Sequence, residues 1–125
     1  MKNLVLLSTL ILTFVLLSGF NSIDSSKKYK KLIGTWNYEA LDAPYQYQKG
    51  KFVFTNEDNK LVGYVMINEY KTELEDIVVI KKNVTFKVNV EGEMVTFNMN
   101  YKKKSMEGTA TYSGGSLGIT GIKIS

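Results

Sequence analysis

The chain has 125 residues, 44% of them hydrophobic, 22% charged and 12% aromatic, a composition that excludes a disordered segment and fits one globular domain. All sixteen basic residues are lysine, set against twelve acids, and histidine and cysteine are both missing, which removes disulfide staples, thiol nucleophiles, imidazole bases and the commonest metal ligands. A formal charge of +4 carried without arginine is too mild, and lacks the forked donors, for a reader of nucleic acid.

The chain opens with Met1-Lys2-Asn3 and an apolar run from Leu4 to Leu17, broken only by Ser8, Thr9 and Thr13 and followed by the small residues Ser18 and Gly19. This is the layout of a secretory signal peptide, and the run is shorter than the ~20 residues a membrane-spanning helix needs. Residues 1–22 are therefore expected to be a signal peptide, with retention as an anchor the alternative. Leu17-Ser18-Gly19 would open a lipoprotein signal, but Phe20 stands where the lipid-bearing cysteine must be. The protein is thus expected to be exported, periplasmic or extracellular, and not a lipoprotein. Without Lys2 the mature chain would carry fifteen lysines against twelve acids, a net charge of +3.

Residues 23–32 form a polar, basic leader in which Lys27, Lys28, Lys30 and Lys31 surround Tyr29. Such a stretch solubilises an N-terminus, or touches an anionic surface such as a head-group layer, so that membrane contact is at most peripheral. The domain proper is expected over 33–125.

From there the chain reads as eight short strands. The first runs from about Ile33 to Leu41 and carries Gly34-Thr35-Trp36 with the only tryptophan, a large flat side chain suited to plugging the closed end of a small barrel. Asp42 to Lys49 contains the only proline, Pro44, and is a true loop. Tyr45 and Tyr47 alternate there with Gln46 and Gln48, and rigid amphipathic rings beside amides suit a pocket rim, a protein contact or a plain lid over the core. Strand two, Gly50 to Thr55, sets Phe52 and Phe54 on one face, and Asn56-Glu57-Asp58-Asn59 is a polar turn. Strand three covers Lys60 to Ile67 with both faces partly apolar, and Asn68-Glu69-Tyr70 turns again.

Strand four is expected from about Lys71 to Ile80, with a change of phase near Asp76 that marks a bulge. Strand five alternates Val84, Phe86, Val88 and Val90 with polar residues, and Glu91-Gly92 is a hairpin signal. Strand six places Val95, Phe97, Met99 and Tyr101 on one face, and Lys102-Lys103-Lys104 forms its tip. Strand seven, Ser105 to Tyr112, aligns Met106, Gly108, Ala110 and Tyr112. The small Gly108 and Ala110 leave room that either a neighbour such as Phe97 or a ligand can occupy. Ser113-Gly114-Gly115-Ser116 leads into strand eight, Leu117 to Ile124. Eight strands on short turns make an antiparallel up-and-down meander, hence an all-β barrel or sandwich.

Gly34-Thr35-Trp36 at the first strand, the basic segment before it, Pro44-Tyr45 after it and the run from Phe52-Val53-Phe54-Thr55 to Leu61-Val62-Gly63 resemble the calycin barrels: lipocalins, fatty-acid-binding proteins and avidins. The nearest resemblance is to small secreted lipocalin-like domains of bacteria. It implies a single eight-stranded calycin-like barrel that binds a small apolar or amphipathic ligand, with Trp36, Tyr45, Gln46, Tyr47, Phe97, Met99, Gly108 and Ala110 as candidate mouth and interior residues. Lipocalins also carry a late arginine over the tryptophan; here Lys123 is the only cation near the end, a weaker stacking partner. The buried arginines of fatty-acid-binding proteins and the pocket tryptophans of avidin are missing.

Catalytic signals are weak. Glu73 and Glu75 share a face at a spacing that would suit acid–base work or calcium, but a wet strand face explains them. Asn56-Glu57-Asp58-Asn59 lacks the glycine and distal glutamate of a calcium loop, and Asn83-Val84-Thr85 matches a glycosylation pattern short enough to arise by chance. The expectation is a non-enzymatic binding protein without metal or cofactor. Its alternative is an envelope protein–protein interaction module with a solid core, docking through Pro44 to Gln48.

Overall fold

The structure, a computed structural model, describes residues 29–125. The expected signal peptide (1–22) and the leader as far as Lys27 and Lys28 lie outside the described residues. Within them the strands are β1 (Gly34–Glu39), β2 (Lys49–Glu57), β3 (Lys60–Ile67), β4 (Tyr70–Glu73), β5 (Glu75–Ile80), β6 (Asn83–Val90), β7 (Glu93–Tyr101), β8 (Ser105–Tyr112) and β9 (Gly115–Lys123), with a 3-10 turn at Tyr45–Tyr47. They form one antiparallel sheet in the order β4-β3-β2-β1-β9-β8-β7-β6-β5, a meander curled into a nearly closed barrel.

Nine strands replace the expected eight because the segment from Lys71 to Ile80 breaks at Leu74. Its first half pairs with β3 and its second with β6, so β4 and β5 are the two edges of the sheet and also chain neighbours. Leu74 is buried at the break, and its N–H donates to the Gly63 carbonyl at 2.9 Å. The expected bulge is there: Asp76 takes φ 51° and the β5–β6 register shifts between Glu75 and Val78. An extra residue at that point bends the strand so that it serves both flanks of the barrel.

Turn chemistry sets the strand ends. Asp58-Asn59, Asn68-Glu69 and Glu91-Gly92 each place two successive residues at positive φ, the mirror-image hairpin geometry that matches the twist of the flanking strands. The polar stretch from Asn56 therefore contracts to two turn residues, and β2 runs on to pair Glu57 with Lys60. At the other end of the register β1 stops at Glu39, and the Ala40 N–H donates instead to the Gln48 carbonyl at 2.8 Å, closing the base of the loop.

Because the strands go up and down in turn, alternate connections share an end. The closed end gathers Leu32, Trp36, Phe54, Leu74, Val84, Met99, Tyr101 and Met106, all buried. Here the Trp36 Nε1–H donates to the Leu32 carbonyl at 2.8 Å. Lys123 Nζ stands 5.7 Å from the centre of the Trp36 ring and donates to the Lys31 carbonyl at 3.2 Å. The late cation is thus over the tryptophan, as a lysine, and partial burial lowers its pKa. Above this layer Phe52, Phe54, Phe86 and Phe97 pack edge-to-face or stacked at 5.1–5.7 Å between ring centres, filling the middle of the barrel with aromatic carbon.

Candidate functional site at the open end

The inward faces of β3, β6, β7, β8 and β9 continue past the aromatic layer as smaller side chains. Val65, Ile67, Val88, Val90, Val95, Leu117 and Ile119 line the wall, and Ala110 stands directly opposite Phe97 across the β7–β8 ladder. Aliphatic groups of this size on a circumference set by nine strands do not meet in the centre, and a cavity of about 390 Å3 remains. Tyr38 and Phe97 make its floor: Tyr38 stacks on Phe52 at 5.0 Å and Phe97 on Phe86 at 5.1 Å. The barrel is therefore solid in its closed half and hollow in its open half.

The loop after β1 forms one side of the mouth through Ala43, Pro44 and Tyr47. Proline fixes the entry to the 3-10 turn, where the Tyr47 N–H donates to the Pro44 carbonyl at 2.8 Å. The Tyr38 hydroxyl, rising from the floor, donates to the Tyr47 carbonyl at 2.9 Å and ties loop to wall. Burial pushes the Tyr38 phenol up to about 12, so it stays a neutral donor at any physiological pH. Across the mouth, the hydrogen bond and negative charge of Glu91 raise the Tyr47 phenol. Glu93 accepts from the Ser113 N–H at 3.2 Å and its hydroxyl at 3.1 Å, joining two hairpin tips. Among the described residues, Glu91 and Glu93 are the only charged ones that line the cavity.

The candidate residues divide. Tyr47, Phe97 and Ala110 line the cavity. Tyr45, expected beside Tyr47, is 89% exposed and lies outside it. Gln46 and Gln48 lie outside as well: the Gln46 carbonyl accepts from Asn68 Nδ2 at 2.8 Å, and Gln48 Nε2 donates to the Leu41 and Ala43 carbonyls at 3.2 and 3.0 Å. The Gln48 amide thus holds the loop's own carbonyls rather than facing its interior. Trp36 and Met99 are fully buried at the closed end, away from the cavity. Gly108 leaves no room inside either, because a Cβ there would strike the Asn98 carbonyl and crowd Met99 Cα at 2.8 Å. It lets β8 press against β7 and borders a shallow outer groove with Gly118.

Sequence reasoning missed Glu91 and Glu93 as mouth residues, although an up-and-down order alone places the Glu91-Gly92 hairpin at the same end as the Pro44 loop. Glu73 and Glu75 are exposed on either side of buried Leu74, and the Lys87–Asp76 pair, at 3.8 Å, is exposed too. Among the described residues no group of three or more Asp or Glu is placed to hold a metal ion.

No protein-family model and no curated protein matches the chain. Two solved structures are similar to it. A redesigned β-barrel, b11L5F_LGL, matches with a TM-score of 0.56 at 12% identity over 77% of this chain and 93% of its own. A point mutant of the fluorescent protein UnaG matches with a TM-score of 0.52 at 9% identity over 77% of this chain and 98% of its own. At these identities the likeness is one of fold alone, an antiparallel β-barrel.

Proposed function

We propose that this protein is an exported, non-catalytic carrier that holds a small apolar or amphipathic molecule in the open half of its barrel. The observation that carries the reading is the cavity itself. At about 390 Å3 it falls within the ~300–1,000 Å3 of small-molecule sites, and aliphatic walls over an aromatic floor reward apolar surface taken out of water. The polar groups sit at the rim. Since these include Glu91 and Glu93 and no lysine, the favoured ligand has a neutral or cationic polar end, and a fatty-acid carboxylate is disfavoured. Export rests on the N-terminal sequence from Met1 to Gly19.

The test uses the neutral dye N-phenyl-1-naphthylamine. Its fluorescence should rise on binding and be displaced by dodecylamine or dodecanol more readily than by dodecanoate. Ala110→Phe, which fills the space opposite Phe97, should abolish the rise while the protein still melts cooperatively. Dye binding that survives this filling would place the dye elsewhere and sink the reading.

The exposed Leu41, Tyr45 and Tyr70 beside the mouth favour a second reading, in which the rim docks an envelope protein. Native mass spectrometry of protein from its own host separates the two, by a retained small molecule or an empty cavity with a bound protein.

A further inference from the structure

The connections at the closed end carry one sign of charge. Lys81 and Lys82 form the β5–β6 turn, Lys102, Lys103 and Lys104 the β7–β8 turn, and Lys30 and Lys31 lead into β1; all seven are exposed. Backbone bonds hold these segments together. The Tyr101 N–H donates to the Lys82 carbonyl at 2.9 Å and its hydroxyl to the Lys81 carbonyl at 3.2 Å, the Lys123 N–H donates to the Lys104 carbonyl at 2.9 Å, and Lys123 Nζ reaches the Lys31 carbonyl. Among the described connections only the Asp58-Asn59 turn, with Glu57 and Asp58, brings acids to this end. The connections and strand ends at the opposite end carry Asp42, Glu69, Glu91 and Glu93 against Lys49 and Lys71. The barrel is thus polarised along its axis, basic at the plug and acidic at the mouth.

From this arrangement we infer that the closed end docks on an anionic lipid surface, with the cavity mouth facing away from it. Charge alone would suit any polyanion, but apolar groups stand among the lysines: Ile80 is 66% and Ile124 50% exposed. A mixture of lysine and exposed aliphatic groups matches a head-group layer with acyl chains beneath, which rewards both. Lysine without arginine also favours diffuse attraction over forked recognition of individual phosphates. The acidic mouth is repelled by the same surface, and this sets the orientation.

The full chain should sediment with phosphatidylglycerol/phosphatidylcholine vesicles much more than with pure phosphatidylcholine, and release as salt rises. Reversing Lys81, Lys82, Lys102 and Lys104 to glutamate should weaken the anionic-vesicle binding by about tenfold or more, while Lys49→Glu with Lys71→Glu leaves it unchanged. Orientation is read on the otherwise native chain, where an added cysteine is unique: a polarity-sensitive label on Lys103→Cys should shift blue with anionic vesicles, and one on Gly114→Cys should not. The inference falls if both labels shift alike, if the two lysine sets weaken binding equally, or if polyphosphate binds as tightly as vesicles and Ile80→Ser with Ile124→Ser changes nothing.

Discussion

Trp36 combines three contacts at the closed end: complete burial, the bond from its Nε1 to the Leu32 carbonyl and the Lys123 ammonium over its ring. Trp36→Ala should cost roughly 3–5 kcal/mol in urea melts, the usual loss for a buried large aromatic; a loss below ~1 kcal/mol would mean that the plug contributes little. Gly108 makes the opposite kind of demand. Gly108→Ala adds one methyl where the β7 backbone already stands, and overpacking of this sort costs about 1–3 kcal/mol. Were the position open to the interior, the same change would be neutral or slightly stabilising.

At the scale of elements, the loop from Asp42 to Gln48 and the bent β4–β5 segment carry separate expectations. Tyr47 lines the cavity while Tyr45 is exposed. Tyr47→Ala should therefore weaken dye binding by about 1–3 kcal/mol, with little change in melting because a loop side chain makes few core contacts. Tyr45→Ala should leave dye binding as it was. If both substitutions weaken it equally, the loop closes further over the ligand than its resting geometry shows. In β4–β5 the carboxylates face water, so Glu73→Gln with Glu75→Gln should alter stability by less than ~0.5 kcal/mol. A calcium-dependent rise in melting temperature lost in that double variant would reveal a metal site instead.

For the molecule as a whole, alkaline stability reports on the floor of the cavity. The unfolded Tyr38 phenol ionises near pH 10, whereas burial in the folded barrel raises it to about 12. Above pH ~10 the unfolded chain releases a proton that the folded chain keeps, so this contribution is intact below pH 10. It falls by about 1.4 kcal/mol per pH unit until about 12, where it is gone. Chemical melts at pH 9, 10 and 11 should show the decline, and Tyr38→Phe should flatten it relative to wild type. Tyr101, raised chiefly by burial at the other end, leaves a smaller residual slope.

Much of the barrel is legible in the sequence because its signals are local. Val84-Phe86-Val88-Val90 alternates with a period of two, and a strand with one wet face follows from that alone. Asn56-Glu57-Asp58-Asn59 reads as a polar turn, and Glu91-Gly92 as a tight hairpin through its glycine. The phase change near Asp76 is readable as a bulge, and the missing cysteine and histidine settle which chemistries are unavailable. What lies across the barrel is another matter. Gly108 and Ala110 look alike along β8, yet one abuts the backbone of β7 and the other opens onto a void, because strand separation and coiling at each point depend on neighbours distant in sequence. The same holds for the Gln48 amide drawn into the loop, for the break at Leu74, and for lysines scattered from Lys30 to Lys104 that meet at one end. Periodicity assigns each side chain to a face of its strand; only closure of the sheet decides which faces touch, which enclose space and which charges become neighbours.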